Sequence, residues 1–267
     1  MRRHELLRNL HELVQPRTYF EIGVSKGVSL ALSRTRTVAV DPYYEISNEI
    51  LCDLHLVRTT SDEFFARRHP FAHFDEPRVD LAFIDGMHLA EYALRDVINT
   101  ERYTSATSII VLDDMLPRSV DEAGRGREGT ARHGAWAGDV YKLVSVIRAA
   151  RPDLICLEVD TQPTGTVVLM GLDSASSALS DAYDDLVEQF VTADPQTVPA
   201  EILGRTRAIQ PEQLVAAPFW GTLRGLRSVP DEEARPQVRM LLESAGLLQP
   251  RAALPEDAMS RLAQRRP

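Results

Sequence analysis

Cysteine is nearly absent. Cys52 and Cys156 are the only two in 267 residues. Two cysteines make no disulfide framework, and with no Cys-x-x-Cys pair they offer no thiolate zinc site. Both read as small buried hydrophobes, and the pattern fits a reducing cytoplasm. Long apolar runs are missing as well. Ile109-Ile110-Val111-Leu112 is among the longest, whereas a membrane helix needs about 20 such residues, so no membrane partner is expected. The segment Met1-Arg2-Arg3-His4-Glu5 is charged and no apolar stretch follows it, which argues against a secretory signal. Positive charge is in deficit, 30 Lys and Arg against 39 Asp and Glu, for a net charge of −9. An acidic surface repels phosphates, so nucleic acid is not an expected partner and small-molecule chemistry is.

The 44% hydrophobic content excludes a disordered chain. Apolar residues at helical spacing predict a helix over 5–15, stopped at Pro16. Short apolar runs closed by turn residues or acids predict strands at 19–22, 37–41, 54–57, 79–84 and 108–112. Helices are predicted from Val28 to Ser33, and over 62–68, 89–103 and 139–150. Two further strands, 154–159 and 166–172, are separated by only Asp160-Thr161-Gln162-Pro163-Thr164-Gly165. Parallel strands need a crossover of a dozen or more residues, so this pair is a hairpin. The expected fold is therefore α/β: strand and helix alternate five times in a Rossmann-like, mostly parallel, seven-stranded sheet that closes on an antiparallel hairpin. Residues 1–173 form the expected core domain. Residues 174–267 carry helical patterns broken by prolines and read as a helical appendage, with a loose end over about the last 15 residues. An apolar face there would make a homodimer.

Ligands of open parallel sheets bind beyond the carboxyl ends of the strands. Those ends carry Glu21 to Gly27, Asp41, Thr60 to Asp62, Asp85 to His88, and Asp113-Asp114. The first reads Gly23-Val24-Ser25-Lys26-Gly27. A dinucleotide fingerprint would place glycines at 25 and 28, where Ser25 and Val28 stand instead. The same letters spell a serine-hydrolase elbow, but that motif belongs to a mid-sheet strand rather than the first one. Asp41 lies at the end of the second strand, the place of a ribose-binding carboxylate. Asp113-Asp114 and His88 equally suit a loop start and a helix cap. The loop 117–137, with Arg118, Arg125, Arg127, Arg132 and His133, reads either as a lid over an anionic substrate or as a solvated segment.

Tyr19-Phe20-Glu21-Ile22-Gly23-Val24-Ser25-Lys26-Gly27, Val38-Ala39-Val40-Asp41, Phe83-Ile84-Asp85-Gly86-Met87-His88 and Ile110-Val111-Leu112-Asp113-Asp114 together resemble the motifs of class I S-adenosylmethionine (SAM) dependent methyltransferases. More narrowly they resemble the bacterial branch with macrocin-type and metal-dependent catechol-type O-methyltransferases. The resemblance covers roughly residues 15–173. It implies that Glu21, Gly23, Ser25 and Gly27 line the methionine and ribose part of SAM. Asp41 would hold the ribose hydroxyls, with Ser61 and Asp62 at the adenine edge. Asp85, Asp113 and Asp114 would bind a divalent metal, Mg²⁺. His88, where the catechol-type relatives carry lysine, would be the catalytic base beside Asp85, its ordinary pKa near 6.5 letting it take a proton at neutral pH. The expected reaction is methylation of a hydroxyl on a small-molecule acceptor such as a sugar or natural product. A nicotinamide-dependent oxidoreductase and a non-catalytic SAM-fold binding protein are the alternatives.

Overall fold

The computed structural model describes residues 1–126 and 136–249. Seven strands form one sheet in the order β3-β2-β1-β4-β5-β7-β6. They are β1 Thr18–Ile22, β2 Arg36–Val40, β3 Leu54–Val57, β4 Leu81–Ile84, β5 Ile109–Leu112, β6 Ile155–Val159 and β7 Thr166–Met170. β7 runs antiparallel to both neighbours, β5 and β6, and every other pair is parallel. The expected hairpin is present, with its second strand inserted beside β5.

Alternation along each strand sends side chains to two apolar layers. Phe20, Ile22, Val38, Val40, Ala82, Ile84, Ile110 and Leu112 share one layer with α3 (Ala90–Glu101) and α4 (Leu143–Ala150). Tyr19, Ala39, Leu81, Phe83, Ile109 and Val111 share the other with α1 (Arg3–Val14). Burying one such side chain fully is worth about 1.5–3 kcal/mol. Among the described residues, Cys52 and Cys156 are free thiols, and no helix is long and apolar enough to cross a membrane.

The expected regular alternation fails at its start. Between β1 and β2 the segment Val28 to Ser33 yields only a 3-10 turn, Leu30–Leu32, and no α-helix joins β2 to β3. The turn 23–27 leaves too few residues before β2 for a helix of ordinary length. The expected helix at 62–68 shortens to α2, Ser61–Phe65. The rest of the chain adds α5 Ala178–Asp181, α6 Tyr183–Phe190, α7 Ala200–Leu203, α8 Pro211–Val215, α9 Trp220–Gly225 and α10 Asp231–Ser244. The expected loose end falls largely on residues outside the described ones.

Candidate functional site

Register places the polar strand ends in one row. Ile22 pairs with Val40 and Ile84, and Ile84 pairs with Leu112. The ladder runs one step further: Gly23 N–H donates to Val40 O, Asp85 N–H to Ile22 O and Asp113 N–H to Ile84 O, at 3.0, 2.8 and 3.1 Å. Gly23, Asp85 and Asp113 therefore begin the loops at one level. Gly23 has φ +88°, and a Cβ there would sit 1.9 Å from Asp85 O. Only glycine lets the turn pass this close to the β4 end.

Asp41 holds that turn. Its Oδ2 accepts from the amides of Val24 and Ser25 at 2.8 and 2.7 Å, and its Oδ1 accepts from Tyr43 N–H at 2.6 Å. Ser25, with φ +49°, stands in the left-handed region beside this carboxylate. Glu21 lies deeper. It is fully buried, and its two oxygens accept from the hydroxyls of Tyr19 and Ser29 at 2.6 and 2.7 Å. Burial is the chief cause that raises its pKa to about 8, with Asp85 and Asp41 adding to it against the two hydroxyl bonds. Ser61 and Asp62 open α2. The Asp62 carboxylate takes a two-point grip from Arg95, at 3.0 and 2.6 Å. Ser61 hydrogen-bonds Asp96, a buried acid whose pKa burial raises to about 7.

The densest cluster is Asp85, His88, Asp113 and Asp114. His88 Nε2 lies 2.9 Å from Asp85 Oδ1, while Nδ1 lies 3.1 Å from Asp114 Oδ2 and 2.9 Å from Trp136 O. Both ring nitrogens face acceptors, so the imidazole is held as a double donor. Burial opposes its charge, but the Asp85 bond and the charges of Asp114 and Asp85 raise its pKa to about 9. The expectation of a neutral His88 at pH 7 gives way for this reason: in the ligand-free chain it keeps its proton. Asp85 is held below the usual carboxylate range. Burial pushes it up, but the His88 bond and charge, with Arg3, outweigh that. Asp113 and Asp114 are both pushed up by burial and by neighbouring carboxylates.

His88 and Asp114 are in the left-handed region, at φ +58° and +61°. Such residues cost about 1–3 kcal/mol and collect at functional sites. The ring of His88 also stacks on Trp136, with centroids 4.9 Å apart and planes at 13°. The capping reading of His88 falls away, because Asp139 Oδ1 instead takes the Ala90 N–H at the start of α3, at 2.8 Å. Gly138 makes that approach feasible, since a Cβ there would meet His88 O at 1.8 Å.

Three participants were not visible in the sequence. Thr164, in the β6–β7 turn, donates its hydroxyl to Asp114 Oδ1. Trp136 stacks its ring on His88 and offers its carbonyl to Nδ1. Arg3, from the first turn of α1, brings Nη1 to 2.7 Å from Asp113 Oδ2 and 3.8 Å from Asp114 Oδ1. Neither oxygen of Asp113 closes a hydrogen bond of good geometry, so the contact with Arg3 is mainly one of charge. In the loop, Arg125 is engaged structurally, with Glu91 at 2.6 Å and Asp139 at 2.7 Å, and Arg118 pairs with Glu122. Arg127, Arg132 and His133 lie outside the described residues. A groove of about 730 Å³ is lined by residues between 141 and 149, Glu158 and residues between 190 and 207, and includes none of the candidate residues.

A metal fits part of this cluster. Asp85, His88 and Asp114 each offer one ligand atom, all within 4.8 Å of one another. Asp113, expected as a ligand, is outside this group and faces Arg3.

The family model described as "Methyltransferase domain" matches residues 20–115. No curated protein sequence matches the chain. Among solved structures, the chain is similar to the methyltransferase PaMTH1 of Podospora anserina, solved with S-adenosylhomocysteine (SAH). The identity is 14% over 64% of this chain and 78% of that one, with a TM-score of 0.45. It is similar to the O-methyltransferase TomG of Streptomyces achromogenes, involved in tomaymycin synthesis and solved with SAM, at 16% identity over 64% and 79%, TM-score 0.45. It is also similar to the MycE methyltransferase of mycinamycin biosynthesis, solved with Mg, SAH and mycinamycin VI. There the identity is 16% over 63% and 49%, TM-score 0.43.

Proposed function

We propose that this chain, which carries a methyltransferase domain over residues 20–115, is a SAM-dependent O-methyltransferase acting on a small-molecule hydroxyl with the help of a divalent cation. The observation that carries the site is the Asp85–His88–Asp114 group, set level with the Gly23 turn at the carboxyl ends of β1, β4 and β5.

The turn 23–27, braced by Asp41, is the proposed cradle for the methionine and ribose of SAM. Asp41 Oδ1 has one amide partner, which leaves it acceptor capacity for a ribose hydroxyl. Glu21 would act through Ser29 rather than by direct contact, because its own carboxylate is enclosed. Ser61 and Asp62, at the start of α2, are the proposed adenine edge.

Asp85, His88 and Asp114 are the proposed metal-binding residues. Two carboxylates and an imidazole suit Mn²⁺ as well as Mg²⁺. A bound divalent cation would lower the pKa of the acceptor hydroxyl and compete with the proton on His88. With the cation carried by Asp85 and Asp114, neutral His88 would keep its remaining proton on Nδ1, toward Trp136 O, and would accept the hydroxyl proton at Nε2, with Asp85 stabilising the resulting charge. Stacking on Trp136 and the Asp114 contact hold the ring in place, so the hydroxyl oxygen meets the methyl group without reorganisation of the base.

Calorimetric titration of the purified chain with SAH tests the cofactor reading. Saturable binding is expected, and its absence would defeat it. A chelator should abolish methyl transfer, as should Asp114→Ala with SAH binding retained. Transfer that survives both would remove the metal and leave the methyltransferase.

A further inference from the structure

We propose that Arg3 is the resident counter-ion of the carboxylate cluster and that a divalent cation binds in competition with it. The inference rests on the metal reading above and adds a residue that sets how tightly the metal is held.

Three carboxylates, Asp85, Asp113 and Asp114, meet at the ends of β4 and β5, and two of them are almost wholly buried. Charges so placed repel strongly unless a cation or proton joins them. Arg3 supplies a cation that cannot be discharged. Its Nη1 lies 2.7 Å from Asp113 and 3.8 Å from Asp114, and its side chain stays 28% exposed, on a path to solvent. The position is otherwise a poor one for a cation. Arg3 is the first residue of α1, where the helix dipole disfavours positive charge. The carboxylates account for its being there.

The arm is held by backbone contacts to the turn that also supplies Thr164. Arg3 N–H donates to Gln162 O at 3.3 Å, and Gln162 N–H donates to Met1 O at 3.0 Å. The same turn thus places Thr164 on Asp114 and Arg3 between Asp113 and Asp114. Asp113 is the member left without a well-formed hydrogen bond, Oδ1 included. A buried carboxylate in that condition depends on the Arg3 charge beside it, and Arg3 also lies within 3.8 Å of the metal-binding Asp114. A divalent ion arriving on Asp85, His88 and Asp114 would meet the guanidinium at short range, and either the side chain withdraws or affinity falls.

The test uses the whole chain, with Mn²⁺ as probe in calorimetry at low ionic strength and SAH binding measured on each sample as a check of folding. Arg3→Gln should bind Mn²⁺ at least about tenfold more tightly than wild type, and Arg3→Lys, which keeps the charge, should stay within about threefold. Equal or weaker binding by Arg3→Gln would overturn the inference while the metal reading stands, and would make Arg3 an orienting partner of Asp113. No Mn²⁺ binding by either protein would overturn both, with SAH binding left intact. If Arg3→Gln does not fold, wild type decides: Mn²⁺ should speed amide exchange in the first turn of α1, and unchanged exchange there would overturn the inference.

Discussion

Glu21 shows how a residue's place on a strand can be legible in sequence while its surroundings are not. Its place at the end of β1 was legible, because an acid after an apolar run and before Gly23 belongs at a strand end. Its enclosure was not, because Ser29 reaches it only after the segment leading into the 3-10 turn folds back. The consequence is a stability that depends on pH. Folding raises its pKa from 4.5 to about 8. The folded chain therefore keeps a proton that the unfolded chain has released. The contribution is complete below pH 4.5 and declines as pH rises toward 8, by up to about 1.4 kcal/mol per pH unit. Glu21→Gln keeps partners for both hydroxyls, which can donate to or accept from the amide, and removes the titration. Its melting temperature should exceed that of wild type by a margin that widens from pH 5 to pH 8. A constant margin would show that Glu21 does not titrate in this window.

At the scale of elements, the strands and their polar ends were legible because a strand buried on both faces must be apolar throughout. Its first loop residue is then the first place for a carboxylate. The β6–β7 hairpin was legible from its short turn. What the turn does was not. It delivers Thr164 to Asp114 and anchors Arg3, contacts between residues far apart in the chain that leave no local pattern. The cap of α3 behaves likewise, coming from Asp139 across the loop. Gly138 is the point on which that arrangement turns. Gly138→Ala would drive a Cβ into His88 O and force a left-handed alanine at φ +65°. It should separate Asp139 from Ala90 and move the Trp136 ring off His88, at a cost of at least about 1 kcal/mol. Methyl transfer should fall by more than tenfold while SAH binding, assigned above to the turn 23–27, persists. Unchanged transfer would mean that the Trp136–Asp139 segment does not position His88.

At the scale of the molecule, the missing crossover helices near β1–β3 pose a packing problem that the C-terminal part answers. Short connections leave the Tyr19–Phe83–Val111 layer with α1 as its chief local cover. Leu214 from α8, Phe219 just before α9, Trp220 and Leu223 from α9, and Ala234, Val238 and Leu242 from α10 join α1 in that layer. Leu179, Val198 and Ile202 enter the opposite one. Arg205 adds a polar clamp: its guanidinium reaches Asp160 at 2.6 Å and the carbonyls of Thr161, Leu116 and Pro163. It thereby fixes the turn that carries Thr164. Residues after 173 thus share both apolar layers with the strands that carry the motifs. Truncation after residue 173 should give a chain that exposes the α1 layer and is insoluble or unfolded, without SAH binding. A milder probe is Trp220→Ala, which removes a buried ring whose Nε1–H donates to Leu214 O at 3.1 Å. It should lower stability by about 3–5 kcal/mol in denaturant unfolding while leaving SAH affinity unchanged in the fraction that stays folded. A truncated chain that folds cooperatively and binds SAH would show that the appendage serves something other than the sheet.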